Sequence, residues 1–225
     1  MAIVLPLSVS VEAYAAAGRD VQVDIPQCPD CASVMGRWSG YSRFVREAAT
    51  CFKVFVVRGR CSSCARTHAL LPAFCVRKRL DVAEVIGRVV EAVGTGVSGI
   101  RPQAVAVGVP HTTARGWLRA FGRNAGRLQA AFGALAVELG GELAGAGSDL
   151  RAGALLAIRA SWRAAGSLPG WAQLGPWRFT SSVCGGSFLA PNTNSPYLFV
   201  GRRRFMPPVP YEGARKEEMP AWTTT

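Results

Sequence analysis

Two Cys-x-x-Cys pairs, Cys28-Pro-Asp-Cys31 and Cys61-Ser-Ser-Cys64, separated by 29 residues, constrain the fold more than any other feature of this chain. Each pair can turn two thiols toward one point, and four thiols suit a closed tetrahedral site with ligands at about 2.3 Å. The residues between the pairs read as strands. Phe52-Lys-Val-Phe-Val-Val-Arg-Gly-Arg60 is β-rich and runs into the second pair. Gly36-Arg-Trp-Ser-Gly-Tyr-Ser-Arg-Phe-Val-Arg46 reads as an earlier strand, opened and interrupted by glycines. Strands that leave one Cys pair and return to the other describe a zinc ribbon. The spacer exceeds the roughly 15–20 residues usual between such pairs, so a long hairpin with an irregular tip near 47–50 is expected.

Cys28, Cys31, Cys61 and Cys64 are therefore the expected ligands of a structural Zn²⁺. Disulfides would need an oxidising compartment, and the seven cysteines are an odd number. A redox-active Cys-x-x-Cys needs only one pair, ahead of a helix in a βαβ setting that is absent here. Iron is the chemical rival, since four thiolates also serve it. Such sites usually carry Gly after each second Cys, whereas Ala32 and Ala65 stand at these positions, which favours zinc. His68, four residues past Cys64, reads as a hydrogen-bonding or packing neighbour of the site rather than a ligand. Cys51 and Cys75 have no partner pair and are expected to be small buried hydrophobes.

The chain carries 26 basic and 14 acidic side chains, a net charge of +12. Lysine occurs only at 53, 78 and 216, so the positive charge is overwhelmingly arginine, whose planar fork suits phosphate and guanine. The excess is spread along the chain, which favours a polyanion over one charged tail; a GC-rich genome would also enrich arginine. No run of 18 apolar residues exists, so a membrane span is not expected. The first 18 residues superficially resemble a signal peptide, but no Lys or Arg precedes the apolar run, and Pro6 and Glu12 interrupt it. A cytoplasmic protein is expected, with this segment forming a strand and a short helical turn against the ribbon.

Asp81 with Glu84 three residues later forms a capping-box pattern. Val82, Val85, Ile86, Val89, Val90 and Val93 then make one apolar helical stripe. In the next stretch Pro102 suits the first turn of a short helix, and Ala104 lets two helices approach. Val107-Gly-Val109 reads as a turn, and His111 or Thr112 can cap a second helix with Ala114, Trp117, Leu118 and Phe121 on one face. This is helix-turn-helix spacing. Thr112, Thr113 and Arg115 would occupy the first turn that meets base edges, and Arg115, Arg119 and Arg123 repeat every fourth residue as a basic ridge. A further helix over 125–139 carries Leu128, Phe132, Leu135 and Leu139, and Ser148 can cap another with Leu155, Ile158 and Trp162 inward. Whether this pair packs on the three-helix unit or serves a homodimer is open. Beyond Leu168 the pattern reads as loops pinned by aromatics. The proline-rich arm with Arg202, Arg203 and Arg204 reads as disordered on its own, with phosphates as candidate partners of the three arginines.

Cys61-Ser-Ser-Cys-Ala-Arg-Thr-His-Ala-Leu-Leu-Pro72, followed by Gly108-Val-Pro-His-Thr-Thr-Ala-Arg-Gly-Trp-Leu-Arg119, resembles an uncharacterised bacterial family that joins a zinc ribbon to a helix-turn-helix. That family is associated with mobile elements and transposase gene clusters, and the resemblance covers about residues 1–210. It implies DNA binding in support of transposition or integration, with a transposase or other element-encoded protein as a candidate partner.

The expected architecture is α+β: a zinc ribbon over 1–76, a three-helix unit over 77–124, a helical pair over 125–167 and an irregular Pro/Arg-rich tail over 168–225. The 14 acidic residues are scattered, with no carboxylate triad for two-metal strand transfer and no Ser-His-Asp or Cys-His arrangement. A non-enzymatic protein binding double-stranded DNA is expected, with Thr112, Thr113, Arg115 and Arg119 near bases and Arg123 on phosphate. Rival readings are a transcriptional regulator, an iron-binding electron carrier and a scaffold for a transposase.

Overall fold

A computed structural model describes residues 2–142 and 149–190. The elements in chain order are β1 (Ala2–Leu5), α1 (Val11–Ala17) with a 3-10 turn (Gly18–Asp20), β2 (Met35–Glu47), β3 (Thr50–Cys61), β4 (Thr67–Pro72), α2 (Ala83–Gly94), α3 (Ile100–Ala106), α4 (His111–Glu138), α5 (Leu150–Ala165) and α6 (Pro176–Val183). The fold is mixed α+β, with one four-stranded sheet and six helices among the described residues. Strand order is β1-β4-β3-β2, with β1 parallel to β4 and the other pairs antiparallel.

The β2–β3 hairpin follows from the β-rich spacer between the Cys pairs. Its strands stay in register from Met35↔Cys61 to Glu47↔Thr50, broken only by a bulge between Arg37 and Ser39. At about 3.3 Å per residue it is a beam roughly 40 Å long. Its tip is tighter than expected, a two-residue turn in which Ala48 takes φ 52°. The first segment forms the expected strand and short helix, and the Ser10 side chain caps α1 by accepting from the Ala13 N–H.

The α2 stripe is buried as its period requires, but Asp81 does not cap it. Its Oδ1 instead accepts from Arg46 Nε at 2.7 Å, and Val82 holds the cap position without a side-chain bond. The cause is tertiary: the end of β2 pairs with the segment before α2, Arg46 N–H donating to Leu80 O at 2.8 Å and Val82 N–H to Arg46 O at 3.0 Å. Glu84, freed from any box, pairs with Arg178 of α6. Likewise Pro110, rather than His111 or Thr112, stands at the N-cap of α4.

The helices expected to part at 124–125 are one 28-residue helix. Gly122 and Gly126 each weaken a helix by about 1 kcal/mol. Against this, Ala114, Trp117, Leu118, Phe121, Ala125, Leu128, Phe132 and Leu135 bury one unbroken stripe, and burial wins. The glycines instead let α5 come close: a Cβ at Gly122 would lie 2.7 Å from Arg151 Nε.

Residues after Leu168 are more regular than their sequence suggests. Trp171, Leu174, Trp177, Phe179 and Phe188 are buried, and the short α6 is held by packing rather than propensity. Trp177 sits directly on Gly87 of α2, where a Cβ would lie 2.0 Å from the indole. The Asn124 amide donates to Phe188 O at 3.1 Å and fixes the segment after α6. One contiguous core joins the sheet to all six helices.

Candidate metal centre and nucleic-acid interface

Two equivalent knuckles build the cysteine cluster. In the first, Cys28 N–H donates to Ser33 O at 2.9 Å; in the second, Cys61 N–H donates to Arg66 O at 2.9 Å. After each second Cys the chain must reverse, and Ala32 and Ala65 do so with φ of 59° and 57°. The glycine-like conformation is therefore present without the glycine. The four Sγ atoms all lie within 4.8 Å of one another, with Cys28–Cys64 at 3.7 Å and Cys31–Cys61 at 3.4 Å. Four sulfurs bound at about 2.3 Å to a central ion stand about 3.8 Å apart, so the cluster fits a tetrahedral ion. Cys28 and Cys61 are buried beside Met35, Ile3 and Ile25, while Cys31 and Cys64 face solvent.

The two exposed thiols are shifted in opposite directions. The Ser33 backbone N–H, aided by its hydroxyl and by Cys61, lowers the Cys31 thiol to about 6. At Cys64 the Arg66 backbone N–H pulls the other way, but desolvation and the three neighbouring cysteines raise the thiol to about 12. Four thiolates this close would repel one another, and a bound cation would offset that repulsion.

His68 lies against this centre, nearly inaccessible, its Nε2 3.6 Å from Cys28 Sγ and 3.7 Å from Asp30 Oδ2. Desolvation lowers its pKa, and its buried Nδ1 has no hydrogen-bond partner. Asp30, which the sequence reading did not single out, pairs with Arg66 at 3.0 Å and so ties one knuckle to the other. Its place inside the first Cys-x-x-Cys was the available signal. Cys75 is buried as expected, whereas Cys51 is exposed at the hairpin tip, because alternation along β3 turns it away from the core.

The segment expected to meet DNA has its own geometry. α3 ends in a turn where Gly108, at φ 67°, donates to Val105 O at 3.0 Å and Val109 donates to Ala104 O at 2.9 Å. This paired bonding is a Schellman ending, with Val107 and Val109 buried as plugs. The hairpin tip abuts the turn: a Cβ on Gly108 would meet the Ala49 nitrogen at 3.8 Å. Thr112, Arg115, Arg119 and Arg123 are exposed and Thr113 is half-buried. None of these arginines has a carboxylate partner among the described residues. Arg115 and Arg119 also line a cavity of about 170 Å³ with Arg151 of α5, a third basic group the sequence did not place there. Arg202, Arg203 and Arg204 lie outside the described residues.

A family model described as a domain of unknown function (DUF6431) matches residues 28–105. The match takes in both knuckles, the hairpin, β4 and α2, and stops before α4. No curated protein and no solved structure matches the chain. No helix among the described residues is long and apolar enough to cross a membrane.

Proposed function

We propose that this chain is a sequence-recognising, duplex-DNA-binding protein steadied by a structural Zn²⁺, acting in support of transposition or integration of a mobile element. The observation that carries DNA binding is the first half of α4. It follows a tight glycine turn from α3 and presents Thr112, Arg115, Arg119 and Arg123 outward, with the opposite face buried. In a helix-turn-helix that half-helix enters the major groove, where an arginine near its N-terminus can bond guanine bidentately. Zinc is supported by the all-sulfur donor set, the closed geometry and the spacing of the four Sγ atoms. The link to mobile elements is supported by the sequence resemblance alone.

Selection of bound duplexes from a random pool tests the reading. One shared motif should emerge, and Arg115→Ala should relax one position of it by about 1–3 kcal/mol of discrimination. Enrichment of no motif would overturn sequence recognition. Sites at element ends rather than promoters would separate an accessory of transposition from a transcriptional regulator. The purified protein should be colourless and carry one zinc per chain; a red-brown protein containing iron would overturn the metal assignment.

A further inference from the structure

The hairpin has two unlike faces, and one half of one face is uncovered. On the side that carries Val45, Val54 and Val56, the half nearest the tip is buried. Register places Tyr41 opposite Val56 and Ser39 opposite Arg58 on the same side, toward the knuckles. There the cover ends. Tyr41 is 43% exposed, and Trp38, thrown out by the bulge, is 57% exposed. The Arg60 guanidinium lies 4.5 Å from the Trp38 ring centroid, which puts that indole on this side as well. Arg58 is fixed by its bond to Thr67 Oγ1 at 2.6 Å. A tryptophan left more than half in water on a strand is unusual, since burying such a side chain is strongly favourable.

We propose that this open face, formed by Trp38, Tyr41, Arg58 and Arg60, binds unpaired nucleic acid, with bases stacked on the two rings and the backbone along the two arginines. Charge selects this occupant. Glu47, at the far tip, is the only acidic residue in either strand, and neither arginine has a carboxylate partner among the described residues. An aromatic face offers every base a stacking surface whatever its identity, and guanidinium groups hold the phosphates. The bulge matters because it turns Trp38 onto the side of Tyr41 while Arg37, its neighbour, points to the other side, where it donates to Val21 O and Arg19 O. The two rings are three residues apart along the strand, about 10 Å, within reach of consecutive or alternate bases in an extended strand. This surface is separate from the α4 face proposed for duplex DNA and does not rest on that reading.

Fluorescence anisotropy of the full metal-loaded chain with a labelled twelve-nucleotide oligothymidine, beside a labelled duplex of the selected motif, tests the proposal. Wild type should bind the single strand with a salt-dependent affinity. Trp38→Ala and Tyr41→Ala should each weaken that binding about 10-fold and leave duplex affinity, metal content and melting unchanged. Arg60→Ala should weaken it and flatten its salt dependence, while Arg115→Ala should weaken only the duplex. A wild-type chain that ignores oligothymidine, or a Trp38→Ala chain that binds it as wild type does, overturns the proposal and leaves the face to a protein partner. A wild-type chain that binds oligothymidine but no duplex would overturn the duplex reading and leave this one standing.

Discussion

Ala32 and Ala65 hold the left-handed backbone with which each knuckle reverses the chain after its second cysteine. For a residue with a Cβ this costs about 1 kcal/mol relative to glycine. Ala32→Gly and Ala65→Gly should each raise the stability of the metal-loaded protein by about that amount, read as a higher melting temperature; a lower one would show that the Cβ makes a packing contribution outweighing the strain. Cys75 makes a different statement. Burial pushes its thiol from 9.0 to about 12, so the folded state favours the protonated form. That stabilisation is complete below pH 9 and is lost as pH rises from 9 through 12. Melting between pH 8 and 11 should fall more steeply in wild type than in Cys75→Ala; parallel curves would remove Cys75 as a cause. Burial of Cys75 was legible from its apolar neighbours. Exposure of Cys51 was not, because it depends on which face of β3 meets the core.

Helix interiors in this chain contain glycines with opposite meanings. Gly116, on the exposed face of α4, has nothing within 4 Å of where a Cβ would sit. Gly116→Ala should therefore stabilise the protein by about 0.5–1 kcal/mol through helix propensity alone. If that stretch seats deeply in a groove, duplex affinity should fall in the same variant while its melting temperature rises. Gly87 in α2 looks alike in sequence, yet Trp177 occupies the space of its missing side chain. There Gly87→Ala should destabilise by about 1–3 kcal/mol or more, overpacking outweighing the propensity gain. Chemical denaturation of the two variants in parallel checks both signs. Asp81 teaches the same lesson about local signals. Its spacing to Glu84 is a legitimate capping box, but each carboxylate has an arginine from a distant element, Arg46 and Arg178, and the box does not form.

Across the whole molecule, the hairpin links the cysteine cluster at one end to the α3–α4 turn at the other, where Ala48 and Ala49 abut Gly108. Removal of a metal ion from the four cysteines should therefore be felt beyond the knuckles. Chelation, or Cys64→Ser, should melt the hairpin's metal end and lower duplex affinity by about 10-fold at fixed salt, since binding and folding of such sites are coupled. Retained affinity after complete removal of metal would mean that the helices stand without the hairpin. The cysteine spacing, the hairpin it brackets, the α2 stripe and the glycine turn before α4 were all determined by the sequence, because each is a local pattern of ligand geometry, periodicity or backbone freedom. Only the tertiary structure decided that α4 runs unbroken through Gly122 and Gly126, and that 171–189 joins the core through Trp177 and Phe179. It also decided that one half of the hairpin stays uncovered. These outcomes depend on which distant apolar face is available to bury a segment, and no window of neighbouring residues contains that information.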